Sequence, residues 1–357
     1  MAKFYPLLVS GIERTTKDCS VVTLAVPEEQ RSAFDFRQGQ YLTLKAQISG
    51  EEVRRSYSLC SSPLENKWSV AIKQIEGGVF STFANTELAV GDSLEVMPPE
   101  GNFFVEVDAS QQRNYLGFAA GSGITPILSI IRTHLTKEPE ATFKLFYVNQ
   151  TVSSIILKEE LEALKNQFLD RFEIFYFLTR EQRNNPLLNG RVNKEKLRTI
   201  FASICPVEAI DHSFICGPKE MIFLIRDELE AAGLAKDRIH YELFFSGDAK
   251  NGTTTKATVI ADKTEGASIT IIDGGKEFHF TMPETHDNLL DAALAAGADL
   301  PFACKGGVCS TCKCKVLEGS VEMKVNYALE EKEVANNFVL SCQAVPTSDA
   351  VKVDFDV

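Results

Sequence analysis

A chain of 357 residues, 44% hydrophobic and 24% charged, is longer than one core usually organises, so two or three globular domains are expected and a largely disordered chain is excluded. Its formal charge of −12 argues against a nucleic-acid partner, because phosphate backbones select basic faces. No apolar run approaches the ~20 residues of a membrane span, and the start, Met1-Ala2-Lys3-Phe4-Tyr5-Pro6, lacks the long apolar stretch of a secretion signal; a cytoplasmic protein with no membrane partner is expected.

In chain order, residues 1–110 read as short strands. The runs at 21–26, 41–44 and 68–72 are β-branched or alternating, with breaks at Gly39-Gln40, Gly77-Gly78 and Pro98-Pro99. That spacing predicts a small antiparallel barrel or sandwich. From 111 to 245 the pattern changes. Strands are expected at 115–120, 143–148, 172–177 and 214–216, followed by helices at about 125–134, from Leu157, from near Asn193 and from near Pro218. Such alternation predicts a parallel sheet covered on both faces.

Residues 246–256 are small, polar and glycine-rich and read as a flexible linker. The remainder, 257–357, opens with a hairpin at 268–273 and 277–281 around Gly274-Gly275. An Ala/Leu helix at 287–296, a cysteine-rich loop and two short strands follow. This last stretch holds eight Lys+Arg against sixteen Asp+Glu. Most of the net charge therefore belongs to an acidic C-terminal module, whose field would steer a basic partner.

Four cysteines, Cys304, Cys309, Cys312 and Cys342, are separated by four, two and twenty-nine residues. This is the spacing by which plant-type ferredoxins hold a [2Fe–2S] cluster. Zinc sites usually pair two Cys-x-x-Cys knuckles, which this spacing does not give. Gly306 and Gly307 suit a loop that turns sharply and aims N–H groups at sulfur. Cys314, two residues past Cys312, is read as a buried bystander.

Two further constellations precede the cysteines. Arg55-Ser56-Tyr57-Ser58 is followed by Gly78-x-x-Ser81. An arginine can pair with a pyrophosphate, an aromatic ring can pack on a flavin, and a turn at a helix start can cradle phosphate oxygens. On a strand alone, though, these residues would be unremarkable. Gly121-x-Gly123-x-Thr125-Pro126 ends a strand and opens a helix, as dinucleotide-binding turns do. Its bland explanation is a tight turn with proline near the first helical turn. Cys216-Gly217-Pro218 repeats the logic after a later strand.

In this order the motifs resemble the ferredoxin–NADP reductase superfamily. With the cysteine module behind them, the whole chain is similar to reductase components of bacterial multicomponent oxygenases. The resemblance implies a flavin-binding antiparallel β-barrel (1–110), an α/β parallel-sheet nucleotide domain (111–245), a linker (246–256) and a β-grasp ferredoxin domain (257–357). It implies that Arg55, Gly78 and Ser81 bind the FAD pyrophosphate and that Tyr57 packs on the isoalloxazine. Ser58 would approach the reactive flavin nitrogen. Gly121, Gly123, Thr125, Pro126, Gly217 and Pro218 would shape the nicotinamide-nucleotide site, with Cys216 and Glu242 beside the hydride path. Phe244 or Phe245 resembles the aromatic that shields the flavin in relatives.

Two electrons delivered together as hydride must reach a cluster that accepts one at a time, and a flavin bridges that mismatch. The implied activity is therefore NAD(P)H-dependent reduction of a terminal oxygenase docked near the ferredoxin domain. The oxygenase could act on an aromatic, sterol or alkane substrate. A relay subunit that uses no nicotinamide is the reading from another class. No acid follows the second nucleotide-domain strand, where Asn149-Gln150 stands, and Thr179-Arg180 follows the third. An acid there favours NADH and a cation favours NADPH. NADPH is expected, with Arg180 on its 2′-phosphate and Arg191 assisting; NADH stays open, because both arginines could be solvated loop charges.

Overall fold

The computed structural model describes residues 3–244, 264 and 266–357; the expected linker at 246–256 and Phe245 lie outside them. Contacts divide the chain into two compact units, one made of Tyr5–Val53 and Tyr57–Phe244 and the other carrying the C-terminal sheet.

In the larger unit, β1 (Tyr5–Thr16), β2 (Cys19–Ala25), β3 (Tyr41–Ile48), β4 (Glu51–Ser58), β5 (Trp68–Lys73) and β6 (Ser93–Val96) form a six-stranded sheet. Its order is β4-β3-β6-β1-β2-β5. Leu59, just past β4, bridges antiparallel to Val70 of β5. This link between the two edge strands closes the sheet toward the expected barrel. Alternation places Leu7, Val22, Leu24, Leu42, Leu44 and Val70 inside, and α1 (Val79–Thr86) adds Phe80 to the same core.

The nucleotide region runs β7 (Asn114–Ala120), α2 (Ile124–Lys137), β8 (Thr142–Asn149), α3 (Lys158–Gln167), β9 (Phe172–Leu178), α4 (Lys194–Ser203), β10 (His212–Gly217), α5 (Lys219–Ala231) and β11 (Ile239–Leu243). All its strand pairings are parallel, in the order β11-β10-β7-β8-β9. Two boundaries differ from the sequence pattern. α2 continues past His134, and Glu138 at its end is fully buried, accepting from Tyr115 Oη at 2.8 Å and lying 3.1 Å from His134 Nδ1. α3 starts after Leu157, which has φ +57° and cannot lie inside a right-handed helix.

The barrel and this sheet share one continuous core. Cys19, Val21, Cys60, Ala71 and Phe103 pack with Ile127, Leu128, Ile131 and Tyr147. Polar contacts fix the same seam: Ser129 Oγ donates to the Ser61 carbonyl at 2.6 Å, and the Ser62 and Thr133 hydroxyls are 2.8 Å apart. Through them α2 grips the segment that leaves β4, three residues beyond Ser58.

The second unit contains β12 (Ser268–Asp273), β13 (Lys276–Thr281), α6 (Leu289–Ala295), β14 (Lys313–Glu318), β15 (Val321–Met323), α7 (Glu331–Ala335), β16 (Phe338–Leu340), β17 (Ala344–Pro346) and β18 (Ala350–Asp354). Five strands make a mixed sheet in the order β13-β12-β18-β14-β16, and β15 pairs with β17. The hairpin and the helix stand where the sequence placed them, with Asn288 capping α6 by accepting from the Asp291 N–H at 2.8 Å. The cysteine loop is followed by five strands rather than the expected two. Three of them span only three residues each, too short to show a period. No helix among the described residues is long and apolar enough to cross a membrane.

Candidate functional site

The chain lays down β7, β8 and β9 in one direction and then returns to place β10 and β11 on the other side of β7. Connections therefore diverge at the C-terminal ends of β7 and β10, which is where open α/β sheets bind ligands. Two of the sequence motifs meet there. Gly121–Gly123 ends β7, and a Cβ on Gly123 would fall 2.3 Å from the Cys216 carbonyl oxygen on β10. Only glycine allows that approach. Gly121 has φ +53° and open space where a side chain would stand. No side chain caps the Gly121–Gly123 turn or the helix α2 that continues it, so the N–H groups at the start of the turn and the helix dipole suit a phosphate. Thr125 is buried, its hydroxyl donating to the Ser122 carbonyl at 3.0 Å, so it holds the turn.

A residue that the sequence motifs do not include holds this turn from below. Tyr147 on β8 is fully buried and donates to the Gly121 carbonyl at 2.9 Å, with the Ile156 carbonyl 3.3 Å away. Beyond it, Asn149 is buried at the end of β8, its side chain beside the Tyr147 hydroxyl.

Ser58, Glu242 and Cys216 converge on the same crevice. Cys216 and Glu242 stand side by side on β10 and β11, and the Ser58 hydroxyl at the end of β4 donates to Glu242 Oε2 at 3.0 Å. Desolvation pushes the Glu242 carboxyl up to about 7, with the Ser58 donation opposing it. Burial pushes the Cys216 thiol well above its usual range, and Glu242 adds to the push. Cys216 is thus a neutral, polarizable wall and not a nucleophile.

In the six-stranded sheet, Arg55 and Tyr57 precede Ser58 on β4, and the Tyr57 ring lies 5.6 Å from Phe80 of α1. Gly78 is the uncapped start of α1. Ser81 is buried, accepts from the Ile75 N–H at 3.2 Å and donates to the Gly78 carbonyl at 3.3 Å. Its direct contribution is the shape of the turn, which leaves the backbone N–H groups to meet an anion.

Arg180 and Arg191 are exposed on the segment after β9. That segment is pinned at its base: Arg180 N–H donates to the Gln150 carbonyl at 2.8 Å, and Asn189 exchanges two bonds with the Arg183 backbone. Phe244 packs on the shared core as a half-buried side chain.

The four spaced cysteines gather in the second unit. Cys304 and Cys309 lie in the loop before β14, Cys312 directly precedes that strand, and Cys342 follows β16. Among the described residues no three His, Cys, Asp or Glu side chains converge on a single ion. The thiols form two pairs instead: Cys309 donates to Cys304 Sγ at 3.1 Å, and Cys312 donates to Cys342. Two pairs suit two irons better than one zinc. Gly306 N–H donates to Cys304 Sγ at 3.3 Å, and Gly307 has φ +73°. The Cys309 thiol and the loop N–H groups hold Cys304 below the usual thiol range, and the Cys312 thiol does the same for Cys342. Cys314 is wholly buried on β14, its thiol pushed far up by desolvation, in keeping with a bystander.

Comparison with known proteins finds three family matches along the chain. The oxidoreductase FAD-binding domain family matches residues 6–105, the oxidoreductase NAD-binding domain family residues 118–227, and the 2Fe-2S iron-sulfur cluster binding domain family residues 271–347. The chain is 44% identical to a component of the 1,2-phenylacetyl-CoA epoxidase of Escherichia coli, over 100% of this chain and 99% of that one. It is 33% identical to the ferredoxin reductase component of 3-ketosteroid-9-alpha-monooxygenase of Rhodococcus rhodochrous, over 98% and 96%. Among solved structures it resembles phthalate dioxygenase reductase, with a TM-score of 0.59 and 21% identity over 99% and 98% of the two chains. This last likeness concerns the fold: a flavin sheet, a parallel nucleotide sheet and a C-terminal ferredoxin-type sheet.

Proposed function

We propose that this chain, which belongs to the family of FAD- and NAD-binding oxidoreductases with a 2Fe-2S domain that serve oxygenases as reductase components, draws on NADPH and supplies phenylacetyl-CoA epoxidase. When bound, FAD accepts a hydride's two electrons and the [2Fe–2S] cluster carries them singly. The chain's own residues bind, orient and insulate. Arg55 and the first-turn N–H groups of α1, shaped by Gly78 and Ser81, meet the FAD pyrophosphate, and Tyr57 lines the ring. Gly121, Gly123, Thr125, Pro126, Gly217 and Pro218 form the nicotinamide-nucleotide cradle, and Arg180 with Arg191 meets a 2′-phosphate. Ser58 and Glu242 form one hydrogen-bonded unit beside the hydride path, and Cys216 closes its wall. Cys304, Cys309, Cys312 and Cys342 would hold the [2Fe–2S] cluster.

We divide the chain at 1–110, 111–245, 246–256 and 257–357, and we place the oxygenase near the acidic ferredoxin domain. Nine cysteines, four of them spaced as cluster ligands, suit a reducing, cytoplasmic setting.

The observation that carries this reading is the meeting of Ser58, Glu242, Cys216 and the glycine turn at one topological switch point, in a chain that also pairs four thiols two by two. The choice of oxygenase rests on the 44% full-length identity. An anaerobic NADPH titration followed by visible and EPR spectra should bleach the flavin and then raise a reduced-cluster signal. Absence of bleaching would turn the reading toward a relay subunit without nicotinamide. Epoxidation by the purified oxygenase component on addition of this chain tests the partner; support of a steroid hydroxylase alone would replace it.

A further inference from the structure

Gln343 immediately follows the fourth cysteine, on no regular element, and is 8% exposed. Its position is fixed on three sides. Its backbone N–H donates to the Leu340 carbonyl at 2.8 Å, and its carbonyl accepts from the Lys324 N–H at 3.0 Å. Its side chain packs against the cysteine loop: a Cβ on Gly307 would lie 3.1 Å from Gln343 Cγ. The amide nitrogen Nε2 has two N–H bonds to give. One reaches the Lys305 carbonyl at 3.0 Å, inside the loop that carries Cys304 and Cys309, and the other points at Cys342 Sγ, 3.6 Å away. A single amide thus ties the fourth thiol to the loop of the first two. Lys305 itself stands at φ +50° and is anchored by Asp291 through a 2.7 Å ion pair.

We infer that Gln343 sets the reduction potential of the cluster by donating its amide N–H to the Cys342 sulfur. The inference rests on the reading of the four cysteines as [2Fe–2S] ligands. Reduction adds one negative charge that the cluster's thiolate sulfurs share. A fixed N–H dipole aimed at a sulfur stabilises that charge more than it stabilises the oxidised cluster, so the potential rises. The second N–H keeps the first from rotating away, which makes Gln343 a positioning residue with a direct electrostatic effect. Backbone N–H groups supply such bonds within the loop; Cys342, outside it, accepts from the Gly307 N–H and in addition from the Gln343 side chain.

The test is a redox titration of full-length holoprotein, wild type against Gln343→Met and Gln343→Glu, with the flavin as internal reference. Gln343→Met keeps the volume and removes both donors. It should weaken cluster reduction about tenfold, 59 mV to the negative for one electron, while the flavin midpoint stays put. Gln343→Glu should shift it further in the same direction, because an acceptor replaces the donor. An unchanged cluster midpoint in both variants, with the cluster retained, overturns the inference; a purely structural role would hasten cluster loss without moving the potential. If the variants do not hold a cluster, wild-type protein carrying 15N-glutamine decides. ENDOR of its reduced state should show coupling to a side-chain amide nitrogen, and no coupling refutes the assignment. A wild-type protein with no [2Fe–2S] EPR signal would instead overturn the underlying reading of the cysteines.

Discussion

Glu242 gives the most quantitative consequence of the site. Its carboxyl moves from an ordinary 4.5 to about 7, chiefly by desolvation, with only the Ser58 hydroxyl drawing it back. Below pH 4.5 the folded and unfolded chains both carry the neutral acid, and the group costs nothing. Between 4.5 and 7 the unfolded chain releases the proton and the folded chain keeps it, so stability falls by about 1.4 kcal/mol per pH unit. Above 7 both forms are ionised and the deficit levels off at about 3 kcal/mol. Glu242→Gln keeps the shape and the acceptor oxygen for Ser58 and removes the titration. Holoprotein unfolded by urea, with flavin release as the signal, should show the variant equal to wild type near pH 4.5 and more stable by about 3 kcal/mol at pH 8. The pH dependence of flavin bleaching by NADPH should lose an inflection near 7 in the same variant. A stability difference constant from pH 5 to 8 would refute the argument, because the carboxyl would then ionise alike in both states.

Three other outcomes follow from the same geometry. Tyr147→Phe removes the hydroxyl under the Gly121 carbonyl, so the KM for NADPH should rise about fivefold, the worth of one neutral hydrogen bond, with kcat nearly unchanged in stopped-flow and steady-state assays. Arg180→Ala should raise the KM for NADPH by about tenfold or more, as loss of a charge-assisted phosphate contact does; equal effects on NADH would remove Arg180 from the 2′-phosphate. Cys309→Ser should abolish electron delivery to a protein acceptor but leave NADPH-to-dye turnover intact, and loss of both with the fold intact would mean that the two centres are not separate.

The parts of this protein legible in its sequence are those written within a few residues. The parallel-sheet strands follow from continuous apolar runs such as Phe143 to Val148 and from the helices between them. The thiol set follows from spacing, and Gly121-x-Gly123 from its place between a strand and a helix. Contacts between distant segments left no such trace. Ser58 meets Glu242 across 184 residues because α2 clamps the β4 exit through Ser129 and Thr133, side chains that read only as ordinary helix residues. Tyr147 looks like one more aromatic in a buried strand, and only the fold shows its hydroxyl under Gly121. Gln343 reads as a polar residue in a loop until Lys305 and Cys342 are seen to share its amide. The short strands β15, β16 and β17 leave no mark in the sequence for another reason: three residues carry no period.

Glu242 and Cys342 are both acids removed from water, yet the structure moves them in opposite directions. Desolvation acts alike on each, disfavouring the charged form. What differs is the number of donors. Glu242 accepts one hydroxyl bond and is driven up; Cys342 accepts from the Cys312 thiol, the Gln343 amide and the Gly307 N–H and is held down. The first arrangement suits a group that holds a proton beside the proposed hydride path, where a second charge would only repel the incoming one. The second suits a ligand that must be a thiolate before iron binds. Burial excludes water from both sites, and the donors then decide the charge each one carries. For that reason, exchanging a single donor, Ser58 or Gln343, should retune each site without dismantling it.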